Sequence, residues 1–192
     1  MPALEMLIAE MLSIHYCSDE HESLAVLKDL LAEARRRVDA DCGVLEPDAA
    51  RLFWVNPVAD LRVMNLIEDV GGRICGTDYM ILHALDPIPE NTDPWLSLAR
   101  CALADLLTGS AIDRADRICR DVERFGAEAV VVSRIPGASH CATEGAVIRE
   151  QLQARLGVPV MECEVSSITD AIEPGLHTRL QALVETVRGK RS

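Results

Sequence analysis

The residue with the strongest case for chemistry is Cys141. It ends the stretch Ser133-Arg134-Ile135-Pro136-Gly137-Ala138-Ser139-His140-Cys141, which follows the run Ala129-Val130-Val131-Val132 and precedes the helical pattern Thr143–Leu156. A thiol at or just before a helix amino terminus faces unpaired backbone N–H groups. These favour the thiolate, the form that ligates metal or attacks electrophiles. A half-buried cysteine with no ligand is the competing account of the same position. The chain has seven cysteines, and the other six signal less. Cys101 and Cys119 fall in helical patterns and Cys163 in a strand, where core packing is favoured. Cys42 lies in a loop with no partner in view. Cys17 belongs to His15-Tyr16-Cys17 with His21, a spacing that fits no standard zinc pattern and reads as an inter-helix turn. Cys75 is placed at the end of a second strand and is kept as a second thiol candidate. No C-x-x-C occurs, so no complete zinc or ferredoxin-type site is legible in the chain.

Three polar positions accompany Cys141 as candidates. Asn56 stands in Asn56-Pro57-Val58 after a first strand, Asp78 in Gly76-Thr77-Asp78-Tyr79 after a second, and Ser133 opens the cysteine loop after a third. Ser166-Ser167 follows a fourth. Ligands of open parallel sheets collect beyond the carboxyl ends of the strands, and that rule selects all four segments. Familiar motifs are missing: there is no G-x-x-x-x-G-K-[ST], no G-x-G-x-x-G and no G-x-S-x-G.

The elements that must position these residues alternate. Ala3–Ile14 and His21–Val38 carry apolar residues at helical spacing, and the second ends in the basic run Arg35-Arg36-Arg37. Strands are expected at Arg51–Val55, Arg73–Cys75, Ala129–Val132 and Val158–Val165. Helices are expected at Val58–Val70, Trp95–Leu107, Arg114–Phe125, Thr143–Leu156 and Ile172–Val187, with glycine caps at Gly71-Gly72 and Gly126. Short apolar strands alternating with helices imply parallel βαβ units covered on both faces. The expected fold is α/β: a small doubly wound, flavodoxin-like sheet of about four parallel strands in the order 2-1-3-4, with an N-terminal helical arm. Residues 1–46 form the arm and residues 47–192 the α/β domain.

Bulk properties narrow the function. At 49% hydrophobic content the chain can fill a core, and a net charge of −12 argues against nucleic acid, whose phosphates need neutralising cations. Aromatic residues make up 3%, too few for stacking platforms. The amino terminus MPALEMLIAEML lacks the pattern of a signal peptide, and no apolar run reaches the ~20 residues of a membrane helix. A reduced, cytoplasmic setting without membrane contact is expected.

The order and wording of the segments resemble the 2-hydroxyacyl-CoA dehydratase and benzoyl-CoA reductase family. Leu66-Ile67-Glu68-Asp69-Val70-Gly71-Gly72 followed by a strand to Asp78 is similar to that family's "I-E-E-x-G-G, strand, D" passage. The third strand leading to Cys141 resembles its "V-I, then several residues, then C" passage. Gly157-Val158-Pro159-Val160-Met161-Glu162 and Glu173-Pro174-Gly175-Leu176-His177-Thr178-Arg179 resemble its "G-I-P" strand and closing "E-x-x-x-T-R" helix. The likeness runs over roughly residues 3 to 188, and the order of the motifs is what carries it.

The resemblance implies the C-terminal half of a subunit of an oxygen-sensitive lyase acting on acyl-CoA thioesters. In such subunits two α/β domains hold a [4Fe-4S] cluster through three cysteines. An ATP-dependent activator protein supplies one electron, and a ketyl radical on the thioester permits loss of the leaving group. Carried over residue by residue, only Cys141 has a match as a cluster ligand. Asn56, Asp78 and Ser133 would then serve the acyl-CoA substrate. The other ligands must come from an upstream domain or a partner dehydratase subunit, so the chain reads as a fragment, a split subunit or a degenerate relative. The loop after strand one is Asn-Pro-Val where the family more often has a Gly-Ser turn, and His140 stands where it usually places an aromatic. Alternatives are a non-catalytic assembly module of the same fold, a benzoyl-CoA reductase-type component, and a redox or metal carrier using Cys75 with Cys141. Self-association as a homo-oligomer through the arm is also open.

Overall fold

In the computed structural model, which describes residues 1–14, 19–79, 88–105, 108–138, 143–165 and 172–191, four short segments pair into one parallel sheet. They are β1 (Ala50–Val55), β2 (Gly72–Asp78), β3 (Ala129–Arg134) and β4 (Val160–Glu164), in the order β2-β1-β3-β4. This is the expected order 2-1-3-4. The central strands β1 and β3 are mostly apolar because each face of the sheet meets its own helical layer, whereas the outer strands β2 and β4 carry polar residues as well. Along β1, Leu52 and Trp54 pack into one core and Phe53 and Val55 into the other. Ala129 and Val131 of β3 follow the first pair, and Val130 and Val132 the second.

Among the described residues seven helices surround the sheet: α1 (Ala3–Ile14), α2 (Glu20–Asp39), α3 (Arg62–Asp69), α4 (Pro94–Leu103), α5 (Ala111–Arg124), α6 (Gly145–Leu156) and α7 (Glu173–Arg191). α3 and α7 cover one face, joined by Ala3, Met6 and Leu7 of α1. α5 and α6 cover the other through Ile118, Val122, Ile148 and Leu152. α1 is tied down by polar contacts as well: the Ala3 amide donates to Glu68 Oε1 at 2.6 Å, and Thr77 Oγ1 donates to Glu10 Oε1 at 3.0 Å. α2 differs, for none of its residues is buried.

Several boundaries depart from expectation for local reasons. α3 starts at Arg62, four residues later than Val58, because a turn intervenes. The Asp60 carboxylate accepts from the Arg62 amide at 3.0 Å and sets the start. α5 starts earlier, at Ala111, because Ser110 and Asp113 form a reciprocal capping box. α7 runs on to Arg191, where the side chain is anchored to the sheet.

The largest correction concerns β2. Its pairing with β1 passes from Leu52↔Ile74 to Phe53↔Gly76, so Cys75 is an extra residue in the strand, a bulge. β2 therefore continues to Asp78, and Cys75 lies inside the strand rather than at its carboxyl end. The bulge needs a glycine next to it, because a Cβ on Gly76 would stand 2.8 Å from the Phe53 ring and 2.7 Å from the Phe125 ring. Gly76-Thr77-Asp78 has the composition of a turn and the pairing of a strand.

Candidate functional site

The carboxyl edge of the sheet is built from the inside out. Asn56 follows β1 with φ of 77°, a left-handed conformation that asparagine tolerates better than most residues. The twist turns its carbonyl back to accept from Trp54 Nε1 at 2.8 Å, which satisfies the indole of a fully buried tryptophan. Its amide donates to the Asp78 carbonyl at 2.8 Å, joining the ends of β1 and β2. Its side-chain Nδ2 donates to the Ser133 carbonyl at 2.7 Å, joining β1 to β3. The Ser133 hydroxyl donates to the Pro57 carbonyl at 2.9 Å and lies 3.3 Å from that of Val55. Asn56, Asp78 and Ser133 are all buried, and the structure brings all three together.

Asn56 and Asp78 share a partner in Arg114, at the start of α5 and 2% exposed. Its Nη2 donates to Asn56 Oδ1 at 2.7 Å, its Nε to Asp78 Oδ2 at 3.0 Å, and its Nη1 to Glu144 Oε2 at 2.7 Å. One guanidinium thus holds β1, β2 and the residue before α6. Two carboxylates face a single cation, and the planar donor fork satisfies groups in three directions, which a lysine ammonium would do less well. The loop from β3 to α6 leaves at Ser133 and returns at Glu144, so both of its stems are tied to this clamp.

Sequence reasoning missed Arg114 and Glu144. A signal existed: positions 114, 118 and 122 lie four apart, which puts Arg114 on the same helix stripe as the buried Ile118 and Val122. A cation on a core-facing stripe, at the helix end nearest the ligand-binding edge of the sheet, is worth testing as a hub.

Cys141 lies outside the described residues, as do Ser166 and Ser167 and the cluster His15-Tyr16-Cys17. The described thiols do not make a metal site. Cys163 is buried among apolar side chains, which pushes its pKa up to about 12, and Cys119 is raised by burial on the opposite face of the sheet. Cys75 is half-buried, its thiol donates to the Leu52 carbonyl at 3.5 Å, and burial raises it too. Thiols held protonated are poor ligands and poor nucleophiles. Among the described residues no group of three or more His, Cys, Asp or Glu side chains could hold a metal ion. The described donors therefore do not fit a [4Fe-4S] cluster by themselves. Nor is any described helix long and apolar enough to cross a membrane.

A family model described as 2-hydroxyglutaryl-CoA dehydratase, D-component, matches residues 1–187. No curated protein matches the chain.

Proposed function

The chain belongs to the 2-hydroxyglutaryl-CoA dehydratase D-component family and is a 2-hydroxyacyl-CoA dehydratase-type component; from that premise we propose that it supplies the α/β unit carrying one ligand, Cys141, of a [4Fe-4S] cluster completed by residues of a partner subunit or a further domain. The observation that carries this reading is the Arg114 clamp. It fixes both stems of the loop that contains Cys141 at the edge of the sheet where ligands of such folds collect. When bound, the cluster would supply the one-electron chemistry that dehydration of the acyl thioester requires.

The chain's own residues have a supporting part. Asn56, Asp78 and Ser133 form the floor of the acyl-CoA cleft. The Asn56 and Asp78 side chains bond to Arg114, Asn56 also bonds to the Ser133 carbonyl, and the Ser133 hydroxyl bonds to the Pro57 carbonyl, so together they hold the rims of the cleft in place from below. Residues 1–46 act as an arm on the α/β domain of residues 47–192, with α1 docked and α2 free of buried residues for a neighbouring subunit. The setting is the cytoplasm, and an ATP-dependent activator is the electron donor.

Anaerobic purification with iron and sulfide analysis tests the reading, on the chain alone and mixed with its dehydratase partner subunit. Iron and sulfide should appear on reconstitution with the partner, and Cys141→Ser should abolish their uptake. Iron content unchanged by Cys141→Ser would rule out the ligand role.

A further inference from the structure

Next to the clamp, an apolar cavity of about 430 Å³ opens between α1 and the β1–α3 connection. This lies within the range of about 300–1,000 Å³ typical of small-molecule sites. Leu7, Ile8 and Met11 of α1 form one wall, Val58 and Leu61 the other, and Tyr79 part of the interior. Ile8 and Leu61 are about half exposed and mark the mouth, whereas Tyr79 is buried. Among the described residues no charged side chain lines the cavity. Pro57 and Tyr79 also line it, and they directly follow Asn56 and Asp78. The cavity therefore begins where the polar clamp ends, at the carboxyl edge of β1 and β2.

We propose, resting on the acyl-thioester reading above, that this cavity receives the acyl chain of the substrate and selects a hydrocarbon chain over one that ends in a carboxylate. Position is the first argument, because Pro57 and Tyr79 put the cavity beside the clamp, at the sheet edge where ligands of such folds collect. Composition is the second. A terminal carboxylate would lose its water against Leu7, Met11 and Val58 and find no cation among the described lining residues in return.

The test is equilibrium binding of hexanoyl-CoA, glutaryl-CoA and free CoA to the full chain by calorimetry. Hexanoyl-CoA cannot be dehydrated, so binding is read alone. It should bind at least about ten-fold more tightly than glutaryl-CoA, a discrimination of the size apolar pockets achieve. Ile8→Glu, at an exposed position that folding tolerates, should remove the preference and leave binding of free CoA unchanged. Equal binding of the two thioesters, or a preference that survives both Ile8→Glu and Leu61→Glu, overturns the proposal and leaves the acyl-thioester reading standing. Binding of none of the three compounds overturns both.

Discussion

At the scale of single residues, burial decides how much each charge matters. Arg114 and Asp78 are both almost fully enclosed, so removing the cation takes the ion-pair partner from a buried carboxylate. Arg114→Met should cost about 3–5 kcal/mol in denaturant unfolding, and adding Asp78→Asn should recover part of that loss. Recovery would identify the buried charge, rather than lost packing, as the cause. Glu10 illustrates the opposite sign. Burial raises its pKa above the ordinary value of 4.5, and the Thr77 hydrogen bond only partly offsets this. The native state then holds a proton that the unfolded state has released, so stability is lost as pH rises from about 4.5 through the raised value. Glu10→Gln should flatten that part of the pH–stability curve, measured as the urea midpoint between pH 4 and pH 8. An unchanged slope would place the Glu10 carboxylate in water. The same contrast explains what was legible beforehand. Asn56, Asp78 and Ser133 were found because strand ends in a parallel sheet are easy to locate. Arg114 was missed because an arginine at a helix start reads as a solvated charge until the sheet is folded against it.

At the scale of elements, the strand and helix order could be read from alternating apolar runs, while the interior of β2 could not. Its Gly76-Thr77-Asp78 looks like a chain reversal, and only the approach of Phe53 and Phe125 reveals why glycine is needed in a paired strand. The two rings lie 6.4 Å apart between centroids, leaving no room for a methyl group on Gly76. Gly76→Ala should therefore destabilise by about 1–3 kcal/mol, the usual cost of overpacking. Gly43→Ala, with nothing nearer than 3.5 Å, serves as the control and should change the urea midpoint little. Misplacing Cys75 followed from the same ambiguity. A thiol expected at the ligand edge instead sits in a bulge, with its hydrogen directed to a backbone carbonyl.

At the scale of the whole molecule, ionic clamps close the sheet at both edges, and their surroundings make them unequal. The carboxyl-edge clamp around Arg114 is buried. At the amino edge, Arg191 at the end of α7 donates to Glu128 through Nε at 2.7 Å and to the Asp48 carbonyl through Nη1 at 2.7 Å. Glu128 in turn accepts from the Arg51 amide at 3.0 Å, so the last helix is fastened to the entries of β1 and β3. The Arg191 guanidinium holds the Glu128 carboxyl down at about 2, against an ordinary value of 4.5. This stability is present above about 4.5 and is lost as pH falls towards 2. About a third of the Arg191 side chain meets solvent, so water and salt screen the pair. Arg191→Ala should cost no more than about 1 kcal/mol at neutral pH, well below the loss from Arg114→Met. It should also make the fall in stability between pH 5 and pH 2 shallower, and 1 M salt should erase most of the difference from the parent chain. If Arg191→Ala proves as damaging as Arg114→Met, the amino edge holds the fold as firmly as the site edge. The fold would then be anchored equally at both ends, rather than mainly through the buried network beneath the candidate cleft.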